Sequence, residues 1–198
     1  MAKPARKRNT SPKPQAWAAD LTGLHAQVWA RLLHGVANRQ APARHPTLAT
    51  LSPDGWPEAR TVVLRAADPV AGTLDLHTDL YSAKVAALRH CARAALHIWD
   101  AEMQLQSRLS VQVQVLSGPE VAAIWARVPD PSRQSYGTLP RPGQPIATDL
   151  AYEKRPDADS FAVLRCTVWA IDAVYLGPEH RRARFDRETL WQGQWLAP

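Results

Sequence analysis

The chain reads as mainly β (α+β), an antiparallel β-barrel decorated by a few helices. Three observations carry that expectation. Six or seven segments of strand character are joined mostly by hairpin-length turns, and only two or three stretches have helical spacing. In 105–116, Leu109, Val111, Val113 and Val115 alternate with Arg108, Ser110, Gln112 and Gln114. Period-two alternation puts one face in a core and gives the other to water or a polar partner. Hairpin-linked strands favour an antiparallel arrangement over βαβ units, and closing the barrel removes exposed edges.

Taken in order, residues 1–15 are polar, basic and proline-rich and read as a disordered tail, leaving 16–198 as one domain. Trp17, Leu21, Leu24, Val28, Leu32 and Val36 recur at helical spacing, predicting an amphipathic helix to about Asn38 that Pro42 and Pro46 terminate. Residues 47–52 and 58–65 flank Pro53-Asp54-Gly55, which supplies hairpin turn chemistry. A second turn at 68–72 leads to a strand at 73–78, a helix at 82–90 and a strand at 94–99. After the alternating strand, Ser117-Gly118-Pro119-Glu120 has the form of a capping box opening a helix over 121–128. The stretch 129–145 holds five prolines and is expected to be loop. A long apolar strand follows at 161–175, and 181–187 with 194–196 form a closing hairpin.

The 198 residues, 45% of them hydrophobic, suffice for one substantial core. Of the net charge of +6, five units come from Lys3, Arg6, Lys7, Arg8 and Lys13, leaving +1 for residues 14–198. Phosphate-backbone binding needs several cations on one face, so a nucleic-acid partner is not expected. No run reaches the roughly 18 apolar residues of a membrane helix, and no signal-peptide pattern follows the basic residues. Cys91 and Cys166 stand alone, as buried thiols in a reducing compartment would, and the expected localisation is cytoplasmic. Seven histidines show no ligand spacing, so no metal site is expected. Nucleophile-elbow, Walker and dinucleotide fingerprints are missing.

Positive charge and helix-start geometry concentrate in two segments, Arg60-Thr61-Val62-Val63-Leu64-Arg65 and His77-Thr78-Asp79-Leu80-Tyr81-Ser82-Ala83-Lys84. Ser82 and Lys84 fall in the first turn of a helix, whose free N–H groups and dipole favour a phosphate. The dipole contributes only about 0.3–1 kcal/mol, so arginine and lysine must supply most of the affinity. On one continuous strand Arg60 and Arg65 would point to opposite faces. The same residues are equally readable as exposed strand-end cations, although a lysine at a helix start is mildly unfavourable without an anion nearby.

These two segments, the strand bearing Gln106 and the C-terminal Arg182-Ala183-Arg184-Phe185-Asp186 with Trp195-Leu196-Ala197-Pro198 resemble the pyridoxamine 5′-phosphate oxidase-like family of FMN-binding proteins, over roughly Pro46 to Pro198. The resemblance implies an antiparallel Greek-key split barrel with FMN as cofactor. It implies that Arg60 binds the FMN phosphate, that Thr61, Val62, Val63 and Leu64 run beside the flavin, and that Arg65 lies near its reactive edge. His77, Thr78, Ser82 and Lys84 match further cofactor contacts, as do Gln106, Gln144 and Arg184. The family's two sites lie across a homodimer interface, which the polar face of Gln106, Arg108, Ser110, Gln112 and Gln114 would suit, as would plain solvent.

The chain also departs from the family pattern. Where an arginine and a histidine hold the pyridoxamine substrate, it has His180 and Arg182; a family lysine is Arg65, an arginine is Ala83, and the flavin-side tryptophan has no counterpart near Tyr175. The resemblance therefore implies an FMN-dependent oxidoreductase acting on an unidentified small substrate, with Arg65 and Arg182 holding its anionic group. A non-catalytic flavin- or tetrapyrrole-binding carrier and a true pyridoxamine/pyridoxine 5′-phosphate oxidase are the alternatives.

Overall fold

Asp20 starts the first helix. The computed structural model describes residues 15–198, and the tail expected at 1–15 lies, but for Gln15, outside them. Ala16–Ala19 form a 3-10 turn, Asp20 is extended, and its carboxylate accepts the Gly23 amide at 2.7 Å, capping α1 (Leu21–Ala37). The expected helix over Trp17 to Asn38 is thus two elements. Leu24, Val28 and Leu32 repeat every fourth residue and are at most 2% exposed, so this stripe seats α1 on the barrel.

The expected hairpin forms from β1 (Thr47–Leu51) and β2 (Pro57–Thr61), with Gly55 in the turn at a φ of +88°. The single strand expected over 58–65 is not continuous. β2 ends at Thr61, and β3 (Leu64–Asp68) pairs instead with β4 (Thr73–Asp79). The ladder ends because Pro46, preceding β1, has no N–H to offer. Its carbonyl accepts Val62 N at 3.0 Å, and the chain then changes partner.

Next come α2 (Ala83–His90), β5 (Arg93–Asp100) and the expected long strand β6 (Leu105–Ser117). The expected capping box does not form. Gly118 has a φ of +61°, outside helical space, and Ser117 makes no capping bond. Gly118–Val121 is a 3-10 turn, and α3 (Ala122–Trp125) is one turn long. The proline-rich segment carries α4 (Asp130–Arg133) and β7 (Thr138–Leu139), the latter paired with β8 (Glu153–Lys154). Pro131 sits in the first turn of α4, where its missing N–H costs nothing, so proline density was a poor guide there. β9 (Phe161–Tyr175), β10 (Arg181–Asp186) and β11 (Gly193–Leu196) complete the chain.

All pairings are antiparallel, in the order β11-β10-β9-β6-β5-β1-β2, with β4 and β3 attached through β9. β6 follows one edge of β9 throughout. The other edge is shared: residues 161–167 pair with β4 and 170–175 with β10. That shared edge splits the barrel. A bulge at the handover leaves Trp169 without a β6 partner and 42% exposed.

Leu48, Leu64, Leu76, Leu96, Leu109 and Leu164 fill the interior and are fully buried. Each contributes about 1.5–3 kcal/mol relative to exposure. A second cluster around Phe161, Val121, Val128 and Tyr136 forms beneath α3. Among the described residues, no helix is long and apolar enough to cross a membrane.

Candidate functional site

β4 separates two groups of cations. Along it Leu74, Leu76 and Thr78 are buried while Asp75 and His77 are half-buried, so adjacent residues His77 and Thr78 serve opposite faces.

On the Thr78 side lies a compact polar cradle. Lys84 Nζ donates to Thr78 Oγ1 at 3.1 Å, and Thr78 Oγ1 lies 3.2 Å from Ser82 Oγ. Ser82 does not cap α2; its hydroxyl donates to the Asp79 carbonyl at 2.8 Å. The amides of the first turn of α2 are therefore not claimed by that side chain. Arg60 on β2 is braced by Thr50 Oγ1 at 2.6 Å and Glu58 Oε2 at 2.5 Å. Burial pushes the Lys84 ammonium below the usual lysine range; the Arg60 charge pushes it further, and Asp79 opposes both. Two cations brought together at a helix start, over two buried hydroxyls, form a site complementary to a phosphate.

On the His77 side, a cleft of about 340 Å³ is lined by Arg44, Arg65, His77 and Arg127 against Ile124, Val128 and Pro129. Burial lowers the His77 pKa to about 4, Arg65 and Arg44 pushing the same way and Asp75 opposing, so the imidazole is neutral at neutral pH. The ring meets Phe161 edge-on at 5.0 Å. Burial raises the Tyr136 phenol, against the pull of Arg65. Arg65 Nε is buried without a hydrogen-bond partner.

The sequence-predicted residues thus fall into three places. Arg60, Thr78, Ser82 and Lys84 come together, and Arg65 and His77 line the cleft. Thr61, Val62, Val63 and Leu64 connect the two; Thr61 is exposed, Leu64 fully buried. Arg60 and Arg65 are separated as expected, but by the break between β2 and β3 rather than by alternation along one strand. Gln106 and Arg182 both pair with Val174, one from β6 and one from β10, and so share a row across the sheet. Arg182 is held by Asp172 at 3.1 and 2.8 Å, and Arg184 by Asp186 at 2.8–3.0 Å. Gln144 accepts from Arg141 N at 3.0 Å within its own loop. None of these four bonds to the cradle or the cleft within the described chain.

Sequence reasoning missed four participants. Asp79 ties the cradle together: Oδ1 accepts Tyr81 N at 2.8 Å and Oδ2 accepts Gly137 N at 2.9 Å. Thr50 and Glu58 fix Arg60; Thr50 is revealed by the β1–β2 register, whereas Glu58 lies two residues away on the same strand. Arg44 reaches the cleft from a turn before β1, where no motif marks it.

Comparison with known proteins agrees with this architecture. Residues 26–117 match the model of the family described as pyridoxamine 5′-phosphate oxidase, FMN-binding domain. A pyridoxine/pyridoxamine 5′-phosphate oxidase of Xanthomonas euvesicatoria pv. vesicatoria is 36% identical over 202 residues, spanning 90% of this chain and 100% of that protein. Pyridoxine/pyridoxamine 5′-phosphate oxidase 2 of Arabidopsis thaliana is 28% identical over 143 residues, 67% of this chain and 72% of that one. Among solved structures, a pyridoxamine 5′-phosphate oxidase-related, FMN binding protein of Nostoc punctiforme superposes with a TM-score of 0.73 at 23% identity, covering 94% of this chain and 100% of that chain. With the split barrel in place, these similarities show that the chain belongs to the FMN-binding pyridoxamine 5′-phosphate oxidase family.

Proposed function

We propose that the protein is an FMN-dependent oxidoreductase acting on a small anionic substrate. The observation that carries this reading is the convergence of Arg60 and Lys84 over Thr78 and Ser82 at the start of α2, with a cationic cleft on the other face of the same strand. The cradle fits the FMN phosphate, because it supplies two cations and amides no side chain caps. Bound FMN supplies two-electron chemistry by accepting a hydride equivalent. The chain's own residues do the rest. Arg60 and Lys84 hold the phosphate, and Arg65 binds the substrate's anionic group. His77 is neutral and can donate one hydrogen bond without adding charge, and the apolar wall excludes water.

Gln106, Arg182 and Arg184 are assigned to the partner's site in a homodimer. What supports this is their common position on β6 and β10, away from the chain's own cradle, and Gln144 is assigned the same role from its exposed loop. The flavin carrier without turnover has one observation in its favour: both oxygens of Asp172 hold Arg182, the residue expected to grip a substrate.

Purified protein is expected to show flavin absorbance bands, and Arg60→Ala/Lys84→Ala is expected to lose them; unchanged flavin content in that variant would sink the assignment. Anaerobic bleaching by an amine, NADH or NADPH separates oxidoreductase from carrier. Formation of pyridoxal phosphate from a phosphorylated vitamer would identify the true pyridoxamine/pyridoxine 5′-phosphate oxidase.

A further inference from the structure

The phosphate cradle is short of positive charge. Arg60 carries Glu58 on its Nη2 at 2.5 Å, and the Asp79 carboxylate acts on Lys84. Two cations therefore stand beside two anions, while a phosphate monoester carries about −1.5 to −2 at pH 7. The start of α2 adds only about half a unit charge. Ala83, the residue that opens α2, has no polar side chain to offer.

A further cation reaches this turn from the segment that follows β7. Asp79 Oδ2 accepts Gly137 N at 2.9 Å while Oδ1 accepts Tyr81 N at 2.8 Å. One carboxylate thus ties Gly137 to the turn before α2. Four residues on, Arg141 lies over the Tyr81 ring, its guanidinium carbon 3.7 Å from the centroid. The arginine sits on a closed turn: Gln144 Oε1 accepts its amide at 3.0 Å, and Gln144 N donates to its carbonyl at 3.1 Å.

Tyr81 and Arg141 border a pocket of about 240 Å³ whose other charged groups are already engaged. Arg155 donates to Glu153 at 2.7 Å, and Asp157 accepts Asp159 N at 3.0 Å and Ser160 Oγ at 2.6 Å. Among the described residues, Arg141 is the cation of this pocket with no carboxylate on it. A ring against the guanidinium face leaves the in-plane N–H donors unspent, which suits a bidentate phosphate contact. Tyr81 directly precedes Ser82, so the fork is carried beside the start of α2.

We propose that Arg141 is a further cofactor-binding residue, carried by Tyr81 to the FMN phosphate as the third cation of the cradle. Tyr81 is its positioning residue. The inference rests on the FMN reading of the cradle and adds a cation that β2 and α2 do not supply.

The test compares FMN with riboflavin, which lacks only the phosphate. Full-length protein is loaded with either flavin, and release on dilution is followed by flavin fluorescence. Wild type should release riboflavin faster than FMN. Arg141→Gln should speed FMN release about five- to twentyfold, one charge-assisted contact at an exposed site, and riboflavin release by no more than about twofold. Tyr81→Leu should speed FMN release about two- to fivefold through the lost ring contact, and Tyr81→Phe should restore it. Equal acceleration of both flavins in Arg141→Gln marks a merely structural role and overturns the proposal, as does unchanged FMN release. Arg141 is exposed, so its replacement leaves the core intact, and melting temperature on the same samples checks this. The two readings fail separately. FMN lost from Arg60→Ala/Lys84→Ala but held at the wild-type rate by Arg141→Gln refutes this inference alone. Wild type that releases the two flavins equally refutes the cradle, and the inference with it.

Discussion

Lys84 Nζ donates to Thr78 Oγ1 at 3.1 Å, so a strand residue orients the cation that begins the next helix. Thr78 is 5% exposed, and its hydroxyl also lies 3.2 Å from Ser82 Oγ. Thr78→Val keeps the shape and removes the acceptor. The net worth of one such bond is about 1 kcal/mol, which predicts roughly five- to tenfold weaker FMN binding. Fluorescence titration of the flavin checks this, and a wild-type dissociation constant would show that Thr78 does not position Lys84.

His77 makes a pH prediction with a definite sign. Its folded pKa of about 4, set by burial first and then by Arg65 and Arg44 with Asp75 opposing, is below the ordinary histidine value of 6.5. The unfolded chain therefore binds the extra proton more readily. The contribution is complete above about pH 6.5 and is lost as pH falls toward 4, amounting to on the order of 3 kcal/mol. Melting temperature measured from pH 7 to 4 should fall more steeply for wild type than for His77→Gln.

Asp172 works in the acid range. Burial pushes its carboxyl up, but hydrogen bonds and charge from Arg182 and Arg108 outweigh that and hold it below the usual range. Because the folded pKa is depressed, the stabilisation is present above the unfolded value, near 3.9, and is lost as pH falls through the folded one. Asp172→Asn should lower the melting temperature at pH 7 by a few degrees, consistent with about 1 kcal/mol for weakened hydrogen bonds. It should also lose less than wild type on acidification to pH 3. Parallel pH curves for the two proteins would refute the assignment.

Patterns that repeat within one element were legible in the sequence. The alternation of β6, the four-residue stripe of α1 and the Asp-Gly turn each need only local spacing, and each forms. Arg60 and Lys84 were singled out because a motif marks both. What failed depended on where a ladder ends or how a backbone turns. Pro46 stops the β1–β2 ladder from outside it, so the break before Leu64 could not be read from 58–65 alone. Arg44 belongs to the cleft only because Gly35 admits its turn, a contact between residues on different elements. Asp79 stood inside the motif without a role, since its partner Gly137 is 58 residues away.

That contact supports the last prediction. Gly137 has a φ of +98°, and its amide donates to Asp79 Oδ2 at 2.9 Å. A Cβ there would collide with the Arg155 carbonyl and the Asp157 side chain. Gly137→Ala therefore strains the backbone and cannot relax without moving the 155–157 segment, whose Arg155 and Asp157 amides bond back to Gly137 and Tyr136. A cost of at least about 2 kcal/mol follows, or a melting-temperature drop of roughly 4–8 °C. The effect should extend to the cofactor, because Asp79 also receives Tyr81 N and the Ser82 hydroxyl and so sets the start of α2. Faster hydrogen exchange at Tyr81 and Gly137, together with weaker FMN binding, is the expected signature. Lower stability with FMN affinity and exchange at Tyr81 unchanged would show that the loop and the cradle are not coupled through Asp79.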